Sequence, residues 1–183
     1  MKNGKTYDMA LTAMGAVMLA ICSWISVPTA VPFTMQTFGL FFILDVLGGK
    51  RATGAVFVYI LLGAAGLPVF AGFTGGVGVL AGATGGYIIG FLCSGLLYWL
   101  LEPGFSEGGR QWMRIFTMIL CLAACYAFGT VWYMAVYAKT AGAVGLISVL
   151  GWCVFPFILP DLIKMAMALF LGKRVKKSMR VLQ

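Results

Sequence analysis

Phe155-Pro-Phe-Ile-Leu-Pro-Asp-Leu-Ile-Lys-Met-Ala-Met-Ala-Leu-Phe-Leu-Gly172, followed at once by Lys173 and Arg174, decides the fold class. Roughly 20 apolar residues carry a helix across the hydrocarbon core of a bilayer, and a run of this kind that stops on a basic cluster reads as a membrane helix. Two charges lie inside it, Asp161 and Lys164. They are three residues apart, hence on one helix face and able to neutralise each other. Ionisable groups within a membrane are costly, so their presence calls for a reason. Pro160 is expected to begin this span, because its fixed φ suits the first helical position; Asp161 then falls in the first turn, where the helix dipole favours a carboxylate.

The rest of the chain has the same character. Of 183 residues, 62% are hydrophobic and 10% charged, against about half and a quarter in an ordinary soluble domain. A signal peptide would be a short apolar stretch with a small-residue cleavage site; here the apolar content continues to residue 172. Six spans are predicted, at 9–27, 36–47, 52–67, 85–101, 115–137 and 160–179, with outer loops 28–35, 68–84 and 138–159. The fold class is an all-α integral membrane protein, a six-helix bundle with an outer-face pocket and re-entrant or lid loops. The first part of the apolar region that starts at Leu146 reads as a short re-entrant or interfacial helix, since Pro156 and Pro160 interrupt it.

The net charge of +8 does not point to nucleic acid, because the basic residues fall between and after apolar runs instead of on one aromatic-bearing face. They report topology. With six spans, Lys2, Lys5, Lys50, Arg51, Arg110, Arg114, Lys173, Arg174, Lys176, Lys177 and Arg180 share one side, which is eleven of the thirteen. The polar loop that contributes Arg110 and Arg114 also holds Glu102 and Glu107. Lys139 alone is on the other side, and Lys164 is inside a span. Cationic loops stay in the cytoplasm, so both termini are expected there, in a multi-pass protein of the cell membrane.

There is no histidine, which removes the commonest general base and metal ligand. Without it, and with no paired intramembrane carboxylates or serine dyad, no catalytic residue and no metal site is assigned, and an enzyme is not expected. The five cysteines form no CxxC pair and read as small apolar packing groups, so no cofactor is implied. Gly48-Gly49-Lys50-Arg51 is not a P-loop, since Leu44 stands where the first glycine is needed and Arg51 where a hydroxyl is needed.

Four features carry functional information. Asp161 beside Lys164 is either an ion pair that tolerates burial or the polar floor of a ligand site, offering an acceptor and a cationic donor together. Pro68 to Tyr87 is a glycine-rich, uncharged, non-helical stretch expected to fold back as a lid or pocket wall; its end, Gly85 to Gly90, also reads as a helix-packing device. Val31-Pro-Phe-Thr-Met-Gln-Thr37 places hydroxyls and an amide on the same outer side, although Thr34 and Gln36 also suit helix capping. Ala10, Ala13, Ala16 and Ala20 give the first span a small-residue face for close approach of another helix, within the chain or in a partner. Asp45, near the inner end of the second span, is expected to make an interfacial or intraprotein hydrogen bond.

Four ordered motifs give the chain a resemblance to a known family: Val31-Pro-Phe-Thr-Met-Gln-Thr37, Gly63-Ala-Ala-Gly-Leu-Pro-Val-Phe-Ala-Gly72, Gly82-Ala-Thr-Gly-Gly-Tyr87 and Phe155-Pro-Phe-Ile-Leu-Pro-Asp-Leu-Ile-Lys164. It resembles the BioY family, the biotin-binding S components of energy-coupling-factor transporters, over nearly its whole length. The family commonly has proline where this chain has Ala83. The resemblance implies an outward-facing biotin pocket that includes Asp161 and Lys164. The bicyclic ring is then expected against Phe33, Phe70 and Tyr87, with Thr34, Gln36 and Thr84 as further binding residues and Lys164 meeting either the ureido oxygen or the carboxylate. It also implies a transmembrane coupling protein and two cytoplasmic ABC-type ATPases as partners in the lipid bilayer, with the alanine-bearing first helix facing the coupling protein. The same fold with riboflavin or thiamin as ligand is the alternative.

Overall fold

The structure is a computed structural model that describes residues 4–28, 31–102, 111–140, 142 and 144–181. Lys2, Glu107, Arg110 and the side chain of Arg180, all weighed above, lie outside the described residues. Among the described residues there are eight α-helices: α1 Gly4–Trp24, α2 Gln36–Leu47, α3 Gly49–Ala64, α4 Val77–Ala81, α5 Gly85–Leu101, α6 Gln111–Thr140, α7 Leu146–Cys153 and α8 Phe155–Val181. Three are long and apolar enough to cross a membrane, at Gly4–Trp24, Gln111–Lys139 and Phe155–Ser178, and Gln36–Leu47 and Gly85–Leu101 are shorter apolar helices. A two-residue ribbon, β1 Ser26–Val27 and β2 Phe33–Thr34, pairs antiparallel between α1 and α2.

Small residues let these helices pack closely. Gly86 lies against the Trp132 side chain and Gly90 against Cys125, so α5 rests on α6 where a larger residue would collide. Gly49 meets the Trp99 backbone and Gly95 lies against Thr53, which brings α3 onto α5. Between α2 and α3 the chain reverses at Gly48, whose φ of 78° suits a residue without Cβ. Leu19, Phe41, Leu44, Val56, Tyr59 and Phe70 are fully buried at the centre of the core.

Four contacts gather the cationic helix ends at one end of the bundle. Arg51 pairs with Asp8 at 2.7 Å; Gly49 N–H donates to Glu102 at 2.7 Å. Lys173 donates to Gln111 at 2.9 Å, and Lys176 pairs with Asp45 at 2.6 Å. Thr34 and Lys164 meet at the other end, where α2 begins.

Two expectations are corrected. Helix α8 begins at Phe155, so Pro160 lies inside it and Asp161 is beyond the first turn. The dipole argument for Asp161 therefore lapses, since that effect fades within one turn. Pro156, at the second helical position, gives up an N–H that needs no intrahelical partner; Pro160 removes one that would have had a partner, which membrane helices tolerate when neighbours compensate. The stretch from Pro68 to Tyr87 is also not wholly irregular. It holds a 3-10 turn at Ala71–Phe73 and the five-residue α4 between Gly76 and Gly82.

Candidate functional site

The Asp161 carboxylate is held from three helices. Its Oδ1 accepts from Lys164 Nζ at 2.8 Å and from Thr37 Oγ1 of α2 at 2.8 Å; its Oδ2 accepts from Tyr126 OH of α6 at 2.6 Å. The Asp161 side chain is 3% exposed and that of Lys164 7%. Lys164 Nζ also donates to the Thr34 carbonyl at 2.7 Å and lies 4.0 Å above the centre of the Phe33 ring. A buried ion pair survives desolvation only when most of its remaining donors and acceptors are matched, and here three donors meet the carboxylate and two oxygens meet the ammonium.

The outer ribbon supplies the next layer. Thr34 Oγ1 donates to Gln36 Oε1 at 3.1 Å and accepts from Gln36 N–H at 3.2 Å, so Thr34 also serves the first turn of α2. Gln36 Nε2 donates to Tyr59 OH at 2.6 Å, and the Tyr59 ring meets Phe70 edge-on at 5.4 Å. Phe70 is buried because Gly63 leaves room for its ring. Tyr87 fits over Gly129 and its hydroxyl lies 3.3 Å from Thr130 Oγ1.

These side chains enclose two adjoining chambers. The smaller, about 70 Å³, has Asp161, Lys164, Thr37, Tyr126, Cys125 and Cys153 in its wall. The larger, about 340 Å³, is walled by Phe70, Val79, Thr84 and Ile88. Thr34, Gln36, Tyr87 and Phe91 belong to both. The pair of chambers therefore joins a charged, donor-and-acceptor end to an apolar body, the composition that small-ligand sites use.

Of the residues singled out from sequence, Asp161, Lys164, Tyr87, Thr34 and Gln36 meet at the small chamber, while Phe70 and Thr84 line the large one. Phe33 is displaced from the wall of both; its ring lies under Lys164 and stacks on Phe157 at 5.9 Å. Thr37, Tyr126, Phe91 and Cys125 were not singled out as site residues. A tyrosine in an apolar span was the available signal for Tyr126, since a buried phenol needs a partner.

The small-residue face of α1 is only partly a surface. Ala10 and Ala13 are exposed, but Ala16 and Ala20 are buried in the chain's own core at 2% and 7% exposure. Of the two settings expected for this face, packing within the chain is seen at Ala16 and Ala20, with Gly15 beside them against Ala55 of α3.

Comparison with known proteins agrees with this architecture. The family model described as the BioY family matches residues 1–181. The biotin transporter BioY of Thermotoga maritima is 38% identical over 164 residues, 87% of this chain and 90% of that one. The probable biotin transporter BioY of Pyrococcus horikoshii is 34% identical over 173 residues, 94% and 98% of the two chains. A crystal structure of the S-component for biotin from an ECF-type ABC transporter superposes with a TM-score of 0.83 over 97% of this chain and 94% of that one, at 23% identity, and so shares its fold. With its four motifs, its helical membrane architecture and relatives matched nearly end to end, the chain belongs to the BioY family.

Proposed function

We propose that this chain is the biotin-capturing subunit of a vitamin uptake transporter in the cytoplasmic membrane. The observation that carries the reading is the buried Asp161–Lys164 pair, 2.8 Å apart, at the end of a cavity that holds no other charge in its wall. A ureido group presents N–H donors and a carbonyl acceptor side by side, and the pair presents the complementary acceptor and donor. A carboxylate brought to Lys164 would also face Asp161, so the ureido edge is assigned to the charged chamber. The larger chamber, within the range of about 300–1,000 Å³ for ligand pockets, receives the ring and chain beside Phe70, Tyr87 and Phe91.

The six-span topology, with both termini cytoplasmic and the chambers outward, is part of the proposal. Supporting it are the basic helix ends gathered opposite the chambers and the cytoplasmic preference of lysine and arginine. The chain has no P-loop, so uptake driven by ATP needs a partner that hydrolyses it. A transmembrane coupling protein with two ABC-type ATPases fits that need, and the origin of the structural neighbour, an S-component from an ECF-type ABC transporter, supports it. Ala10 and Ala13 remain the part of the α1 face available to such a partner.

The test is isothermal titration of biotin into the detergent-purified chain, with riboflavin and thiamin in parallel. Stoichiometric heat with biotin alone is expected. Heat with riboflavin or thiamin and none with biotin would overturn the ligand.

A further inference from the structure

Asp161 is more constrained than a binding carboxylate needs to be. An ionised carboxylate has about four lone-pair sites, two on each oxygen. Lys164 and Thr37 take both on Oδ1, and Tyr126 takes one on Oδ2. One acceptor site is left, on the oxygen that Tyr126 holds. The terminal torsion of an aspartate is otherwise broad and roughly two-fold; here donors from α2, α6 and its own helix oppose rotation. Lys164 Nζ donates to Asp161 and to the Thr34 carbonyl above the Phe33 face, which leaves one of its three N–H groups as the donor of the chamber.

We propose that Tyr126 is a positioning and selectivity residue: its hydroxyl fixes the Asp161 carboxylate so that the chamber presents a single directed acceptor, and thereby selects a ligand group that donates an N–H there over one that accepts. The proposal rests on the reading of this chamber as the ligand site. Without the hydroxyl, Oδ2 loses the donor that orients it, and the carboxylate is free to turn.

Two measurements test it, one of which needs no ligand. The chain has three aspartates, Asp8, Asp45 and Asp161, so carboxyl-labelled aspartate gives three carbon resonances, assigned with the Asp→Asn variants. In Tyr126→Phe, the Asp161 carboxyl resonance should shift at one fixed pH, because the donor on its Oδ2 is lost, while those of Asp8 and Asp45 stay in place. In calorimetry, Tyr126→Phe should weaken biotin binding about tenfold, and the same change made on Asp161→Asn should add nothing further. An unmoved Asp161 resonance, or an equal loss of affinity in both backgrounds, would overturn the proposal. Should Tyr126→Phe fail to fold, Thr37→Val removes the donor on Oδ1 and must move the same resonance. If the wild type does not bind biotin, the ligand assignment falls, while the Asp161 resonance still decides the role of Tyr126.

Discussion

Lys164 Nζ donates to the backbone carbonyl of Thr34 across 2.7 Å, tying α8 to the outer ribbon at the mouth of α2. The cation that reads from sequence as a ligand contact is therefore also a structural tie, since it holds the strand that carries Thr34 and Phe33.

Lys164→Met should accordingly reduce both binding and stability. It leaves Asp161 buried without its cation, and removing one partner of a buried pair costs about 3–5 kcal/mol. Biotin titration should lose its heat, and the melting temperature in detergent should fall. Asp161→Asn keeps its shape and should lose affinity with a smaller drop in melting temperature. Wild-type affinity in both variants would remove the pair from the site.

Ala16→Leu and Ala20→Leu should destabilise the subunit itself, because both positions are buried and overpacking costs about 1–3 kcal/mol. Ala13→Leu, at an exposed position, should melt like the wild type. If the α1 face docks a coupling protein, Ala13→Leu is the variant that lowers co-purification with it. Unchanged melting of both buried variants would contradict the packing of α1.

At the end of α8 opposite the chambers, Lys176 lies 2.6 Å from Asp45 Oδ2 and donates to the Asp45 carbonyl at 3.1 Å. The contact at Oδ2 is an ion pair without hydrogen-bond alignment. Gly172 makes room for that carboxylate, and a Cβ there would run into it. Gly172→Ala should lower the melting temperature while biotin affinity stays at the wild-type value, since the chambers lie elsewhere on α8. A wild-type melting curve would show that α2 and α8 are not held there.

Glu102, just after α5, accepts the first N–H of α3 at 2.7 Å, the service that an N-cap side chain performs in other helices. Glu102→Ala should cost about 1 kcal/mol, read as a lower melting temperature, and Glu102→Gln should recover part of it. Equal melting of all three would make this contact incidental.

Asp161 and Lys164 were legible because charge in an apolar run has few bland explanations. Tyr126 and Thr37 were not, because a hydroxyl is unremarkable in a membrane helix and its partner depends on how α6 and α2 rotate against α8. Pro160 misled for a related reason. Proline is a good marker of helix starts, but whether a helix can begin earlier depends on the neighbours that tolerate the missing hydrogen bond. Phe33 shows the limit in a ribbon: its side of the chain was readable, whereas its place under Lys164 came from the pairing of Val27 with Phe33 and Ser26 with Thr34.

Composition alone made this a membrane protein, since 62% hydrophobic residues leave more apolar surface than a soluble fold can cover, and the ordered motifs pointed to its family. Tertiary structure decided which small residues serve the core, as Ala16 and Ala20 do, and which donors reach Asp161. Periodicity records which residues share a face of a helix. Which neighbour that face meets is set only when the helices pack, because the direction of a hydrogen bond and the room for a side chain belong to pairs of elements and not to either one.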